Sequence, residues 1–156
     1  MQKITPFLWF DNNAEEAMNF YTSIFKNSKI GRVSRYGDAG PGPKGSAMVG
    51  TFYLEGQEFM ALNGGPHYKL TPALSFVVNC ETQEEIDYFW EKLSAGGATV
   101  QCGWLTDKFG LSWQIVPIVL GELMGTGDAE KSNRVMQALL KMDKLIIAEL
   151  RRAYEG

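Results

Sequence analysis

Two stretches of the chain carry apolar residues at i, i+3, i+4 and i+7: Ala17, Phe20, Tyr21, Ile24 and, later, Ile86, Phe89, Trp90, Leu93. This spacing gives each of two helices a single apolar stripe, and a helix with one such stripe covers a sheet. Asn13 with Glu16, and Thr82 with Glu85, have the spacing of a capping box just ahead of the stripes, so both helices are expected to start there. Short apolar runs over 4–10 and 73–78, rich in aromatic or β-branched residues, precede the helices and read as strands. After the first helix, strands are expected over 29–36, 47–55 and 58–63, the last two joined by a Gly56-Gln57 turn. After the second, Gly96-Gly97 ends the helix, and 99–104 and 111–117 read as strands on either side of a turn at 107–110.

The two halves are copies of one another. One fixed shift lays Glu15-Glu16-Ala17-Met18-Asn19-Phe20-Tyr21 on Glu84-Glu85-Ile86-Asp87-Tyr88-Phe89-Trp90, and also puts Phe7 on Phe76 and Ile24 on Leu93. The expected fold class is α+β: two βαβββ modules, 1–66 and 73–118, forming a curved-sheet half-barrel, the second module shortened and one strand short. From about residue 119 the period turns helical. Val135, Met136, Leu139 and Leu140 mark a helix over 129–142, and Leu145, Ile146, Ile147, Leu150 and Tyr154 another over 144–154, with Asp128 and Asp143 as candidate caps. Residues 119–156 thus extend a domain spanning 1–118. Such a segment cannot hold a core alone and must pack on the sheets or on a second chain; a homodimer is the expected assembly.

Composition narrows the function classes. Of 156 residues, 45% are hydrophobic and 21% charged, enough apolar surface to exclude wholesale disorder. A net charge of −3 supplies no positive field for a polyanion, so nucleic acid is not an expected partner. No apolar run approaches the roughly 20 residues of a spanning helix, and the first residues lack a signal-peptide pattern, so no membrane association and a cytoplasmic location are expected. Cys80 and Cys102 lie outside any C-x-x-C pattern and read as buried thiols.

Candidate chemistry is sparse. His67, the single histidine, sits in Gly64-Gly65-Pro66-His67-Tyr68 with nothing nearby to orient it, and reads as an exposed loop residue rather than a catalytic one. Gly40-Pro41-Gly42-Pro43-Lys44-Gly45 matches G-x-G-x-x-G, but two prolines remove donors and a strand follows instead of a helix, so it reads as a connector, placed to lie over a pocket mouth. Trp9, Trp104 and Trp113 all fall on predicted strands, where they pack a core or wall a cavity. Gln114, between Trp113 and Ile115, needs a partner for its amide: backbone, water or ligand.

The paired modules resemble the vicinal oxygen chelate architecture of glyoxalase I, bleomycin-resistance proteins and extradiol dioxygenases. Within it, Ile4-Thr5-Pro6-Phe7-Leu8-Trp9-Phe10, Ala61-Leu62-Asn63-Gly64-Gly65-Pro66, and Cys102-Gly103-Trp104 through Asp107-Lys108-Phe109-Gly110-Leu111-Ser112-Trp113-Gln114-Ile115-Val116-Pro117 resemble the PhnB-like family, often labelled 3-demethylubiquinone-9 3-methyltransferase. The resemblance places the superfamily's metal-ligand positions near 5–8, near 73–75 and at Gln114. No imidazole or carboxylate stands there, so neither metal nor other cofactor is expected. The resulting expectation is a metal-independent protein binding a small, partly aromatic or apolar metabolite in a cleft. Strand alternation lines that cleft with Leu8, Met60, Leu62, Ser75, Cys102, Trp104, Ser112 and Gln114. The alternative is an enzyme of the same fold, either the methyltransferase of the family label or an isomerase or lyase, with catalytic residues unassigned.

Overall fold

A computed structural model describes residues 2–156, which divide into one unit ending at Leu70 and a second spanning Thr71–Gly156. The first unit runs β1 (Phe7–Phe10), α1 (Ala14–Ile24), β2 (Lys29–Arg35), β3 (Ala47–Leu54) and β4 (Gln57–Asn63), in sheet order β1-β4-β3-β2. β1 lies parallel to β4, while β2, β3 and β4 form an antiparallel meander. The second unit runs β5 (Ser75–Cys80), α2 (Gln83–Ser94), β6 (Ala98–Thr99), β7 (Trp104–Thr106) and β8 (Ser112–Pro117), in order β5-β8-β7-β6. The repeat legible in the sequence is therefore a repeat of topology, and both sheets are open.

The second module is shortened without losing a strand: β6 and β7 shrink to two and three residues. The expected strand over 99–104 is instead a turn, in which Val100 N–H donates to Trp104 C=O at 2.8 Å and Trp104 N–H to Gln101 C=O at 3.2 Å. Cys102 and Gly103 stand at φ +62° and +83°, outside the extended region. The β3–β4 turn falls one residue earlier than expected, on Glu55 and Gly56, both at positive φ, so that Leu54 pairs with Gln57.

Packing follows the alternation. Leu8, Ala61 and Gly50 share one row across the first sheet, and a Cβ at Gly50 would collide with the Met18 side chain of α1. That row therefore faces the helix. Beside it Tyr21 stacks on Phe52 at 6.1 Å between ring centroids, and Phe52 on Phe59 at 5.3 Å. In the second unit Phe76, Trp113 and Leu105 form the equivalent row, Trp113 and Leu105 buried with Ile86 and Leu93 of α2 and Phe76 partly so.

The helices begin less symmetrically than the spacing predicts. Thr82 Oγ1 accepts from Glu85 N–H at 3.2 Å and caps α2. The Asn13 side chain makes no such bond, and α1 is capped from a distance: Asn63 Oδ1 accepts from Ala14 N–H at 2.8 Å while its Nδ2 donates to Ala47 C=O at 3.0 Å.

Three further helices, α3 (Ile118–Met124), α4 (Ala129–Leu139) and α5 (Ile147–Glu155), bury Val119, Leu123, Val135, Met142, Leu145 and Leu150 together within the second unit. α3 is a separate helix that the helical period from residue 119 does not mark off. Asp128 caps α4 through Lys131 N–H, as expected, but Asp143 does not cap α5. Gln83 of α2 does, accepting from Ile147 N–H at 2.8 Å and donating to Leu145 C=O at 3.1 Å. The β6–β7 turn completes the docking, with Cys102 and Gly103 N–H donating to Met142 and Asp143 C=O, both at 2.8 Å. Among the described residues no helix is long and apolar enough to cross a membrane.

Candidate functional site

Each sheet turns one face to its helix and the other, here called the open face, away from it. Register fixes which side chains occupy the open faces, because residues paired across neighbouring strands point to the same side. On the second sheet Ser75, Ser112 and Thr106 form one row across β5, β8 and β7, and Val77, Gln114 and Trp104 form the next. On the first sheet the rows are Phe7–Met60–Thr51 and Trp9–Leu62–Val49.

Six of the eight residues expected to line the cleft thus lie on open faces: Met60 and Leu62 on one, Ser75, Trp104, Ser112 and Gln114 on the other. Two do not. Leu8 is 1% exposed and sits in the helix-facing row, and its neighbours Phe7 and Trp9 occupy the open face instead. A short edge strand of aromatic residues has no polar alternation, so its face could not be read from sequence. Cys102 is on the turn, where Sγ donates to Leu139 C=O at 3.6 Å. The three strand tryptophans also separate: Trp9 and Trp104 are on open faces, while Trp113 is in the core.

The second sheet's open face carries the denser polar chemistry. Gln114 Nε2 donates to Ser75 Oγ at 3.0 Å, which leaves the Gln114 carbonyl as an acceptor and the Ser75 hydroxyl proton as a donor. Ser112 is 1% exposed, and its hydroxyl is a buried polar group with no hydrogen-bond partner. Its strand is held in place from the turn before it. The Asp107 carboxylate, itself buried, accepts from Phe109 N–H at 2.8 Å, Leu111 N–H at 3.1 Å and the Trp113 indole N–H at 2.9 Å. With Asp107 N–H donating to Leu111 C=O, these bonds set the register that brings Thr106 beside Ser112.

The first sheet's open face is mostly apolar, with one carboxylate that sequence reading did not single out. Glu58 pairs with Tyr53 and accepts from the Tyr53 and Thr5 hydroxyls, each at 3.3 Å. At the far end Trp9 donates through its indole N–H to Gly65 C=O at 2.9 Å and meets the Tyr68 ring edge-on at 4.9 Å. The Gly/Pro connector packs on Tyr36: a Cβ at Gly40 or Gly42 would strike that ring, so these glycines make room for an aromatic side chain rather than for a phosphate.

Comparison with known proteins agrees with this architecture. A family model described as 3-demethylubiquinone-9 3-methyltransferase matches residues 2–116, leaving α3, α4 and α5 outside the match. The chain is 47% identical to a PhnB protein from Bacillus cereus, over 74% of this chain and 99% of that one, with a TM-score of 0.70. It shares its fold with the protein PA1353 from Pseudomonas aeruginosa, at 23% identity over 75% and 98% of the two chains and a TM-score of 0.63. It also shares it with the fosfomycin resistance protein FosX of Listeria monocytogenes complexed with Mn(II) and sulfate ion, at 17% identity over 80% and 97% and a TM-score of 0.54. No curated protein matches the chain.

The donors on the second sheet's open face carry no formal charge. They are hydroxyls and one amide, which is bonded to Ser75, and among the described residues no three His, Cys, Asp or Glu side chains come together. The match over residues 2–116 and the 47% identity to a PhnB protein establish that the chain belongs to the 3-demethylubiquinone-9 3-methyltransferase (PhnB-like) family of the vicinal oxygen chelate superfamily.

Proposed function

We propose that the chain is a metal-independent binding protein for a small, uncharged, partly aromatic or apolar metabolite, held on the open face of the second sheet. The observation that carries this reading is the Ser112 hydroxyl, buried without a partner. Leaving such a group unsatisfied costs about 1–3 kcal/mol, whereas an alanine there would cost nothing of the kind. A ligand oxygen supplies the missing partner. Ser75 and Ser112 are directly opposed on neighbouring strands, roughly 4.8 Å apart, so one oxygen between them can accept from both. Gln114 offers its carbonyl to a ligand donor, and Trp104, paired with Gln114, offers an apolar surface.

The absence of formal charge on this face sets the class of ligand. An ion placed there would lose its hydration without gaining a counter-charge, so a carbonyl, hydroxyl or ether on an apolar body fits best. Native mass spectrometry of the purified protein, with elemental analysis of the same sample, tests the reading. A neutral organic compound retained by the wild type and lost from Ser112→Ala supports it; a stoichiometric transition metal or zinc overturns it.

The family description favours a second reading, a methyltransferase. Its donor would need a site other than the Gly/Pro loop, which leads into β3 and is occupied by Tyr36. Saturable binding of S-adenosylmethionine, with S-adenosylhomocysteine formed in the presence of a phenolic acceptor, would establish that enzyme reading in place of a passive binder.

A further inference from the structure

The Gly/Pro connector does more than join two strands. Together with the Asn63–His67 segment it walls a cavity of about 340 Å³ inside the first unit. The cavity lies just beyond the carboxyl ends of the parallel pair β1 and β4, where the chain leaves Phe10 for Asp11 and leaves Asn63 for Gly64. Crevices at that end of parallel strands are common ligand sites in open sheets.

Several of the wall's polar groups are already engaged. The Tyr36 hydroxyl donates to Asn63 C=O at 2.6 Å, and the Asn63 side chain is used at both ends. Gly64 and Gly65 N–H donate to Phe10 and Asp11 C=O at 2.8 and 3.1 Å, and Ser46 Oγ donates to Pro43 C=O. The rest of the lining is the rings of Pro41, Pro43 and Pro66 and the side chain of Tyr36, together with the polar residues Asp11, Asn12 and His67.

Asp11 carries the only formal charge among the lining residues. The cations closest in sequence to the connector are neutralised. Arg35 grips Glu15 with two hydrogen bonds at 2.8 and 3.2 Å, and Lys44 pairs with Asp38 at 3.0 Å. We propose that this cavity binds a small organic ammonium ion with an apolar body, the ammonium at Asp11 and the body against the proline rings.

Asp11 is exposed, so its ion pair is screened and removing it weakens binding by about three- to fivefold rather than abolishing it. The test is a titration of the full chain, followed by amide NMR, with benzylammonium, benzyl alcohol and benzoate up to about 20 mM each, well past the affinity expected of so small a ligand. The proposal expects saturable shifts for benzylammonium at Gly42, Ser46, Gly64 and Gly65, weaker binding of the alcohol, and none of benzoate. Asp11→Asn should bring benzylammonium down to the alcohol's affinity, and Asn12→Trp, at an exposed lining position, should block both. Absence of saturation, shifts located elsewhere, or equal affinity in Asp11→Asn would each overturn it.

Discussion

Asp107→Asn tests how the second sheet's open face is held in register. The wild-type carboxylate is 3% exposed and receives three N–H bonds, two from backbone at Oδ1 and one from the Trp113 indole at Oδ2. Hydrogen bonds to a buried charged group contribute about 1.5–3 kcal/mol each, and they are not additive. An asparagine oriented to keep Oδ1 toward the backbone turns its NH₂ against the indole N–H, donor against donor, and weakens the remaining two bonds by removing the charge. The expected loss is about 3 kcal/mol, or roughly 6–12 °C in Tm for a chain of this size. Urea unfolding followed by tryptophan fluorescence and circular dichroism measures it. Trp113→Phe removes the indole donor, so the double variant escapes the donor–donor conflict and should be less destabilised than the two single losses added, by about 1–2 kcal/mol. Additive losses, or a loss below about 0.5 kcal/mol for Asp107→Asn alone, would refute the assigned bonds.

Three further outcomes follow from the geometry. Gly103→Ala should cost about 2–4 kcal/mol in chemical denaturation, because φ is +83° and the new Cβ would stand 2.9 Å from Ile115 C=O and 3.1 Å from Leu145 Cγ. Gln83→Ala removes the cap of α5 and the bond to Leu145 C=O; hydrogen exchange should speed up in α5 well before it does in β8. Burial, and secondarily the Glu85 charge, pushes the Cys80 thiol up to about 12. The unfolded thiol ionises near its ordinary value while the folded one stays neutral, so this contribution is full below about pH 9 and is lost as pH rises toward about 12. Cys80→Val should flatten that alkaline decline, and iodoacetamide at neutral pH should label Cys102, which is partly exposed, before Cys80.

What the sequence revealed and what it hid have physical reasons. Helical stripes and the internal repeat are strong periodic signals, and they located both modules and the helical segment. Interactions between distant residues left no local mark: Asn63 capping α1 and Gln83 capping α5 are bonds across 49 and 64 positions of sequence. Strand faces were readable where polar and apolar residues alternate, as at Ser112, Trp113 and Gln114, and unreadable in the aromatic run Phe7–Phe10, where Leu8 was placed on the wrong side. Thr99–Trp104 failed for another reason, since the two left-handed residues at its centre carry no period at all. Of the residues on the second sheet's open face, Gln114 stands out in the sequence because an amide in a buried strand demands a partner, and Ser75 and Ser112 follow from strand alternation; Glu58 does not stand out, since a carboxylate beside a turn reads as solvated surface.

The most direct measurement is an NMR titration that follows the Gln114 side-chain amide and the Trp104 indole N–H with p-hydroxyacetophenone as an uncharged aromatic carbonyl, and with Zn²⁺ and Mn²⁺ in parallel. The account predicts saturable shifts of both resonances with the ketone, an affinity about tenfold lower in Ser112→Ala, and no stoichiometric response to either metal. Tight metal binding that perturbs Gln114, or a ketone that leaves the two resonances unmoved, would contradict it.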